Sequence, residues 1–158
     1  MVYIGVDNGV SGTIGIYGDS VIEVYKVPVR KGCSDYSANH SITRVDVDSL
    51  RGIMCRYTGG DVKVILEYPY FNMKNIRTTF VAGRCLEAEL IVLEGLGLEY
   101  SFVSARVWQS DLFPGIRGRL ELKRRSLMFG IDKLGGKVSG FSDFDGLCIA
   151  YWGFKNRV

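Results

Sequence analysis

The sequence predicts an α/β domain with a mixed five-stranded sheet, in which three antiparallel strands are followed by alternating helices and strands, and with helices on both faces. Three extended segments open the chain, residues 2–7, 12–17 and 20–27, joined by turns rich in Gly, Asn, Asp and Ser. Connections this short force antiparallel pairing. Helical and extended patterns then alternate from residue 47 onward, which is typical of parallel strands covered by helices.

Length and composition predict one domain, residues 1–158, with its own core. The chain is 47% hydrophobic and contains only three prolines. Asp7 and several glycines interrupt the first apolar run, so it does not resemble a signal peptide. No stretch approaches the roughly 18 apolar residues that a membrane helix needs. We therefore expect a soluble, cytoplasmic protein with no membrane partner.

The first half of the chain continues, after the three opening strands, with a polar stretch over residues 30–44, which we expect to be a loop. A helix is predicted over residues 47–57, with Asp46 or Asp48 as its N-cap. The segment GGDVKVILE then predicts a turn and a buried strand whose last residue is Glu67.

The second half begins with a long helix from Arg77 to Glu94, ended by Gly95 or Gly97. A fifth strand starts near residue 99, and a short helix follows Ser104.

Two helices complete the chain. One is predicted from Leu120 to Leu134, after an exposed loop around PGIRGR. The last helix is predicted to begin at Ser142, with Ser142 or Asp143 as its cap and with acidic residues in its first turn.

Acidic side chains end two of the predicted strands. Asp7 follows the first apolar run, and Glu67 ends the fourth strand. If these strands are parallel neighbours, both carboxylates emerge at the carboxyl edge of the sheet, where open α/β sheets place their sites. Asp145 reaches the same place because the apolar run LCIAYW packs the final helix on the sheet.

Converging carboxylates indicate a cation, because they repel one another and are costly to bury alone. Magnesium prefers oxygen ligands, and two ions about 3.5 to 4 Å apart can serve phosphodiester cleavage. Taken singly, each acid has a simpler role: Asp7 capping a turn, Glu67 pairing with an arginine, and Asp145 at the helix dipole. Their joint placement favours the metal site.

Three motifs carry a family resemblance: IGVDNGVSGTIGI, VILEYPYF and SDFDGLCIAYWG. In this order and at these intervals they resemble the RuvC-type Holliday-junction resolvases of the ribonuclease H-like superfamily, especially the compact phage forms, over nearly the whole chain. The resemblance implies a ribonuclease H-like, structure-selective DNA endonuclease in a bacterium or a phage-infected host. Such an enzyme acts as a homodimer with Mg²⁺ or Mn²⁺, two ions per site, and nicks two strands of a four-way junction symmetrically. Flaps and forks are further substrates to consider.

The resemblance assigns Asp7, Glu67 and Asp145 to the metal-binding acids. The family's fourth acid stands three residues before the last one, where this chain has Ser142, and an acid follows at Asp143. Residues two apart on a helix point about 200° apart, so Asp143 shares the site only if it precedes the first regular turn. We predict Asp143 as the fourth ligand and Ser142 as the helix cap.

The resemblance also implies DNA contacts around the site. The family's aromatic after the second acid is Tyr70, flanked by Phe71, and would stack on an exposed base; packing under a helix is the alternative for this segment. Lys123 is the expected catalytic residue near the scissile phosphate, although a basic run is often only a solvated helix face. The other predicted phosphate contacts are Lys74, Arg77, Arg84, Arg117, Arg119, Arg124 and Arg125.

The helix over residues 77–94 has a wide apolar surface. The apolar residues are Phe80, Val81, Leu86, Leu90, Ile91 and Leu93. The resemblance implies that this helix meets its twin in a homodimer whose two-fold symmetry matches that of a junction. A broadly buried core helix is the alternative.

Two other functions fit parts of the sequence. The actin and sugar-kinase superfamily begins with a similar strand, Asp and glycine-rich turn, but needs two such domains and a longer chain. A resolvase-like protein that binds branched DNA without cutting it is the second alternative, because Ser142 departs from the family pattern. Magnesium-dependent nicking separates this binding module from an enzyme.

Overall fold

A mixed sheet forms the centre of the computed structural model, which describes residues 1–34, 41–69, 74–134 and 140–158. The described strands are β1 (Val2–Val6), β2 (Thr13–Gly18), β3 (Val21–Lys26), β4 (Val29–Ser34), β5 (Ser41–Val45), β6 (Val62–Glu67) and β7 (Tyr100–Val103). The main sheet has five strands in the order β3-β2-β1-β6-β7. The pairs β1–β2 and β2–β3 are antiparallel, and the pairs β1–β6 and β6–β7 are parallel. The predicted sheet is confirmed.

Five α-helices surround the sheet in the described part of the chain. They are α1 (Val47–Met54), α2 (Ile76–Gly95), α3 (Ala105–Leu112), α4 (Arg119–Lys133) and α5 (Asp145–Asn156), and a 3₁₀ turn, Cys55–Tyr57, follows α1. The Asp46 side chain accepts a hydrogen bond from the Ser49 backbone N–H and caps α1. Gly97, with φ of 65°, ends the α2 turn in the left-handed region. Within the described residues, no helix is long and apolar enough to span a membrane.

Residues 30–44 are not simply a loop, and that prediction is wrong. β4 and β5 pair antiparallel in a separate two-stranded sheet, with Val29 opposite Val45 and Cys33 opposite Ile42. The register shifts between Arg30 and Cys33, and this irregularity hides the alternation that marks a strand in sequence. The buried Val45 joins the core, so the pair is held against the domain.

The last helix begins later than predicted, at Asp145, and neither Ser142 nor Asp143 caps it. Phe144 occupies the N-cap position and no side chain caps the helix there. The Phe144 N–H instead donates to the Ser126 hydroxyl of α4 at 3.0 Å. Asp143 therefore precedes the first regular turn.

Two apolar layers lie on opposite faces of the sheet, because successive strand side chains point to opposite faces. Ile4 and Val6 of β1 pack with Leu50 of α1 and Val92 of α2. Tyr3, which directly precedes Ile4 in β1, points to the other face and packs in the second layer, whose members include Ile65, Trp108 and Ile149. Helices therefore cover both faces, as predicted.

Candidate active site

Two strand ends bring the first pair of carboxylates together. β1 and β6 are parallel neighbours in a register that sets Val6 opposite Leu66. The next residues along these strands are Asp7 and Glu67, so both lie at the carboxyl edge of the sheet. The Asp7 backbone N–H donates to the Thr13 carbonyl at 3.0 Å, which ties the strand end to the start of β2.

Helix α5 brings the last acids to this edge because glycines let it approach the sheet closely. A Cβ on Gly15 would lie 2.2 Å from the Leu147 backbone, and one on Gly146 would lie 2.3 Å from the Thr13 carbonyl. Neither position has space for any side chain. The Gly146 N–H also donates to the Thr13 hydroxyl at 2.9 Å. The first turn of α5 is thereby fixed against the start of β2, next to Asp7.

Asp7, Asp143 and Asp145 form a group of three carboxylates. Each offers one oxygen, and these oxygens all lie within 4.8 Å of one another. Asp143 and Asp145 are each only 5% exposed. Asp143 joins the group because it stands before α5 begins, which is the condition that the sequence imposed on it. The Ser142 hydroxyl donates to Asp143 at 3.1 Å, so Ser142 supports this acid. Glu67 stands outside the group of three.

Lys123 of α4 places its ammonium among these three aspartates. Its Nζ lies 2.5 Å from Asp145 Oδ2, 3.1 Å from Asp143 Oδ2 and 3.9 Å from Asp7 Oδ2. Burial alone would lower the pKa of Lys123, but the surrounding carboxylates, Asp145 first among them, outweigh it and hold this pKa above its usual value. The lysine is therefore a firmly charged cation at the site.

The acids still keep protons more tightly than usual. Burial, followed by the charges of Glu67 and Asp145, raises the pKa of Asp7 to about 8. Burial raises the pKa of Glu67 to about 7, although the hydrogen bond from Trp108 lowers it. Burial also raises the pKa of Asp145, and Lys123 opposes that shift. One ammonium does not neutralise this much buried negative charge.

This donor set fits a hard divalent cation. Mg²⁺ and Mn²⁺ prefer carboxylate oxygens, and a metal ion inverts the local pKa balance by favouring the ionised acids. Asp7, Asp143 and Asp145 are close enough to share one ion, and Glu67 lies at the same sheet edge. The arrangement is chemically suited to metal-assisted hydrolysis of a phosphodiester.

Neither a protein-family model nor a curated protein sequence matches the chain. Solved structures do match. Thermus thermophilus RuvC in complex with a Holliday junction substrate aligns with a TM-score of 0.63 and 15% identity, over 99% of this chain and 95% of that one. A second Thermus thermophilus RuvC structure aligns with a TM-score of 0.61 and 16% identity, over 99% and 97% of the two chains. The chain has the RuvC fold. The predicted ribonuclease H-like architecture is confirmed.

The predicted basic residues of this RuvC fold divide into two groups. Lys123 is turned toward the acids and is half-buried. The exposed ones are Lys74, Arg77, Arg117, Arg119, Arg124 and Arg125. Arg84 is half-buried on α2, and Arg125 pairs with Glu121 at 3.0 Å. The predicted wedge, Tyr70 and Phe71, lies outside the described residues. The exposed basic side chains therefore come from two segments, residues 74–77 at the start of α2 and residues 117–125 in and before α4.

Helix α2 of this RuvC fold leaves large apolar side chains in solvent. Phe80 is 62% exposed, and Ile76 and Ile91 are also exposed. Leu93 and Val92, by contrast, are buried in the core. The wide apolar surface seen in the sequence is therefore only partly used inside the domain.

Two residues near Asp7 with buried polar atoms were not identified from the sequence. Glu89 of α2 is 1% exposed, and neither of its carboxylate oxygens has a hydrogen-bond partner. Burial, followed by the charge of Asp7, raises the pKa of Glu89 to about 8. The Asn8 side-chain carbonyl is also buried without a partner. The pattern AEL gave no sign of this, because a glutamate in a helix is usually exposed.

Trp108 was also missed, and it contacts a candidate ligand directly. Its indole N–H donates to Glu67 Oε2 at 2.9 Å. The sequence signal available was a single tryptophan in a short amphipathic helix, which predicts only a core position.

Proposed function

We propose that the protein is a metal-dependent, structure-selective DNA endonuclease that resolves Holliday junctions by paired nicks. The observation that carries this proposal is the buried group of Asp7, Asp143 and Asp145 around Lys123, at the carboxyl edge of a RuvC-fold sheet. The exposed basic side chains on α4 and near the start of α2 suit a polyanionic substrate. One of the structural neighbours is a RuvC bound to a Holliday junction substrate, which supports branched DNA as the substrate here.

In this proposal Asp7, Glu67, Asp143 and Asp145 hold two divalent ions, Mg²⁺ or Mn²⁺. Bound ions supply Lewis-acid chemistry: activation of a water and stabilisation of the leaving oxygen. Because the aspartates are held by β1, the segment before α5 and α5 itself, their positions are set before any ion or DNA arrives. This preorganisation avoids a reorganisation cost during the reaction.

Besides its ion pairs with the aspartates, Lys123 is proposed to orient the scissile phosphate. Its side chain is 33% exposed, so the ammonium can donate to a phosphate oxygen at the rim while it remains near Asp145. A charge-assisted hydrogen bond of this kind stabilises negative charge that grows on the phosphate during cleavage. Lys123 is therefore proposed as a catalytic residue.

The remaining predicted residues bind DNA without reading its sequence. The exposed arginines on either side of Lys123, together with Lys74, Arg77 and Arg84, contact backbone phosphates. Tyr70 and Phe71 are proposed to stack on bases at the branch point. A homodimer through α2 would present two such sites related by a two-fold axis, and an isologous pair matches the symmetry of a four-way junction.

The test compares synthetic four-way, three-way, flap and linear duplex DNA in Mg²⁺ or Mn²⁺, with the nicks mapped on opposed strands. Symmetric nicks in the four-way junction alone support a strict resolvase, and equal cutting of all branched substrates indicates a general debranching nuclease. Asp7→Asn should abolish nicking and retain junction binding in a gel-shift assay. Junction binding without any metal-dependent nicking by the parent protein would contradict the enzyme and favour a binding protein.

A further inference from the structure

We infer that Trp108 is a positioning residue for the active site: its indole N–H fixes the carboxylate of Glu67 in the orientation that receives a metal ion. The inference rests on the proposed function, since it takes Glu67 as a ligand. It gives a role to a residue of α3, a helix that contains none of the proposed metal ligands or DNA contacts. The observation behind it is the 2.9 Å hydrogen bond from Trp108 Nε1 to Glu67 Oε2.

The chemistry of this bond runs in one direction. An indole N–H is a donor and never an acceptor, so Trp108 can bind Glu67 only through a carboxylate lone pair. It engages Oε2, which leaves Oε1 available for a cation. A glutamate has three side-chain torsions and loses considerable rotamer freedom when it is fixed. Because the indole already holds the Glu67 side chain in one rotamer, less conformational entropy is lost when a metal ion binds.

The donor itself is held rigidly. Trp108 is 1% exposed and belongs to the apolar layer that includes Ile65 and Ile149. Its ring meets Phe113 edge-on, with centroids 6.3 Å apart, and Phe113 meets Phe129 of α4 in the same way at 6.5 Å. The indole therefore cannot turn away without disturbing the core. The same aromatic chain reaches α4, the helix that carries Lys123, so one packed unit supports two parts of the site.

A matched control exists because the chain has two tryptophans. The other is Trp152 of α5, whose side chain, after Asn156 and Lys155, helps to lower the pKa of Asp111, an exposed residue that is not one of the proposed site residues. Trp108→Phe and Trp152→Phe remove the same indole N–H and keep an aromatic ring. The first variant loses the contact to Glu67, and the second loses a contact at the surface.

The experiment measures Mg²⁺ affinity directly, by calorimetry without DNA. Trp108→Phe should raise the dissociation constant about 10-fold or more, which is the usual effect of losing a partner of a ligand, whereas Trp152→Phe should leave it unchanged. In a Glu67→Ala background, Trp108→Phe should cause no further loss, because it acts through Glu67. An equal loss in both backgrounds would overturn the inference and indicate general damage to packing.

Fluorescence gives a readout that packing alone would not produce. In Trp152→Phe the only emitting indole is Trp108, so Mg²⁺ should change its emission in a saturable way, with the calorimetric dissociation constant. Trp108→Phe, in which only Trp152 emits, should show no such change. If Trp108→Phe folds poorly, replacing Trp108 in the Trp152→Phe protein by benzothienylalanine removes the N–H and keeps the ring shape, and the same 10-fold weakening of Mg²⁺ binding is expected.

The two proposals fail in different ways. If the parent protein binds no Mg²⁺, or if Asp7→Asn binds it equally well, the metal site of the proposed function is wrong. If Mg²⁺ binds in an Asp7-dependent manner and Trp108→Phe binds it as tightly as the parent, the metal site stands and the role of Trp108 is refuted.

Discussion

Helices α5 and α2 lie on opposite faces of the same sheet and are used very differently. Seven of the twelve residues of α5 are buried, among them Asp145 and Gly146. Only four of the twenty residues of α2 are buried, and one of those is the unpartnered Glu89. The short helix packs in the core and contributes Asp145 to the group of three aspartates. The long helix is mostly half-buried or exposed, and Phe80 is among its exposed residues.

The largest expected effect is on catalysis, at the start of α5. Asp145→Asn keeps the shape of the side chain and removes a charge from the group of three aspartates. We expect nicking of a four-way junction to fall by about 10³-fold or more, the scale of losing a group that acts as part of a catalytic unit. Single-turnover cleavage measures it. Unchanged cleavage alongside normal folding would remove Asp145 from the site.

Stability should respond oppositely to the same substitution in the two helices. Gly146→Ala places a Cβ 2.3 Å from the Thr13 carbonyl, whereas Gly83 of α2 has no atom within 4 Å of the added Cβ. We expect Gly146→Ala to lower the free energy of unfolding by about 1–3 kcal/mol through overpacking. Gly83→Ala should raise it by about 0.5–1 kcal/mol through helix propensity. Urea denaturation measures both, and equal effects would contradict the comparison.

Association should depend on α2 and not on other exposed apolar residues. Phe80→Glu places a charge on each subunit's side of the proposed two-fold interface, because an isologous interface uses the same surface of both copies. We expect the dimer dissociation constant to rise by at least about 10-fold, measured by sedimentation velocity. Met128→Glu, at a site on α4 that is 58% exposed, is the control and should have no effect. A monomeric parent protein would refute the dimer.

The pH dependence of stability separates Glu89 of α2 from Asp7 at the aspartate group. The folded-state pKa of Glu89 is raised to about 8 from 4.5, and that of Asp7 to about 8 from 3.8. Between its unfolded-state and folded-state pKa values, each carboxyl is therefore protonated to a greater extent in the folded protein than in the unfolded chain. The contribution of each group to stability is full below its unfolded-state pKa and is lost as pH rises to its folded-state pKa, by at most about 1.4 kcal/mol per pH unit for each group.

Chelator-treated protein tests this pH dependence through its free energy of unfolding at pH 5 to 9. Glu89→Gln should reduce the slope with or without Mg²⁺, because Glu89 is not a proposed ligand. Saturating Mg²⁺ should remove the contribution of Asp7 and leave that of Glu89. An unchanged slope in Glu89→Gln would mean that this carboxyl is already ionised or paired in the folded state.

The parts of the fold that follow local patterns could be predicted from the sequence. The three opening strands follow from short apolar runs and short turns. Asp7 and Glu67 each end a predicted strand, so parallel pairing of these strands places both at one edge, where they lie. The pairing of β4 with β5 was missed because the register shift after Arg30 breaks that alternation.

The start of α5 and the supporting contacts depend on distant residues. The Phe144 N–H donates to the Ser126 hydroxyl, 18 residues earlier in the chain, and no local sequence pattern predicts that contact. The importance of Trp108 likewise comes from Glu67, 41 residues away. Such pairs exist only in the folded molecule, which is why the acids were predictable and the residues that hold them were not.

The placement of α5 has a consequence for synthesis. The ribosome makes β1 and β2 well before the acids at residues 143 and 145, which follow Asp7 by more than 130 residues. A nascent chain can pair its opening strands, but its aspartate group stays incomplete, since contacts of such long sequence separation form late. The proposed metal site is therefore completed only after α4 has been made, and a chain that stops before residue 143 carries the basic side chains of α4 without Asp143 and Asp145.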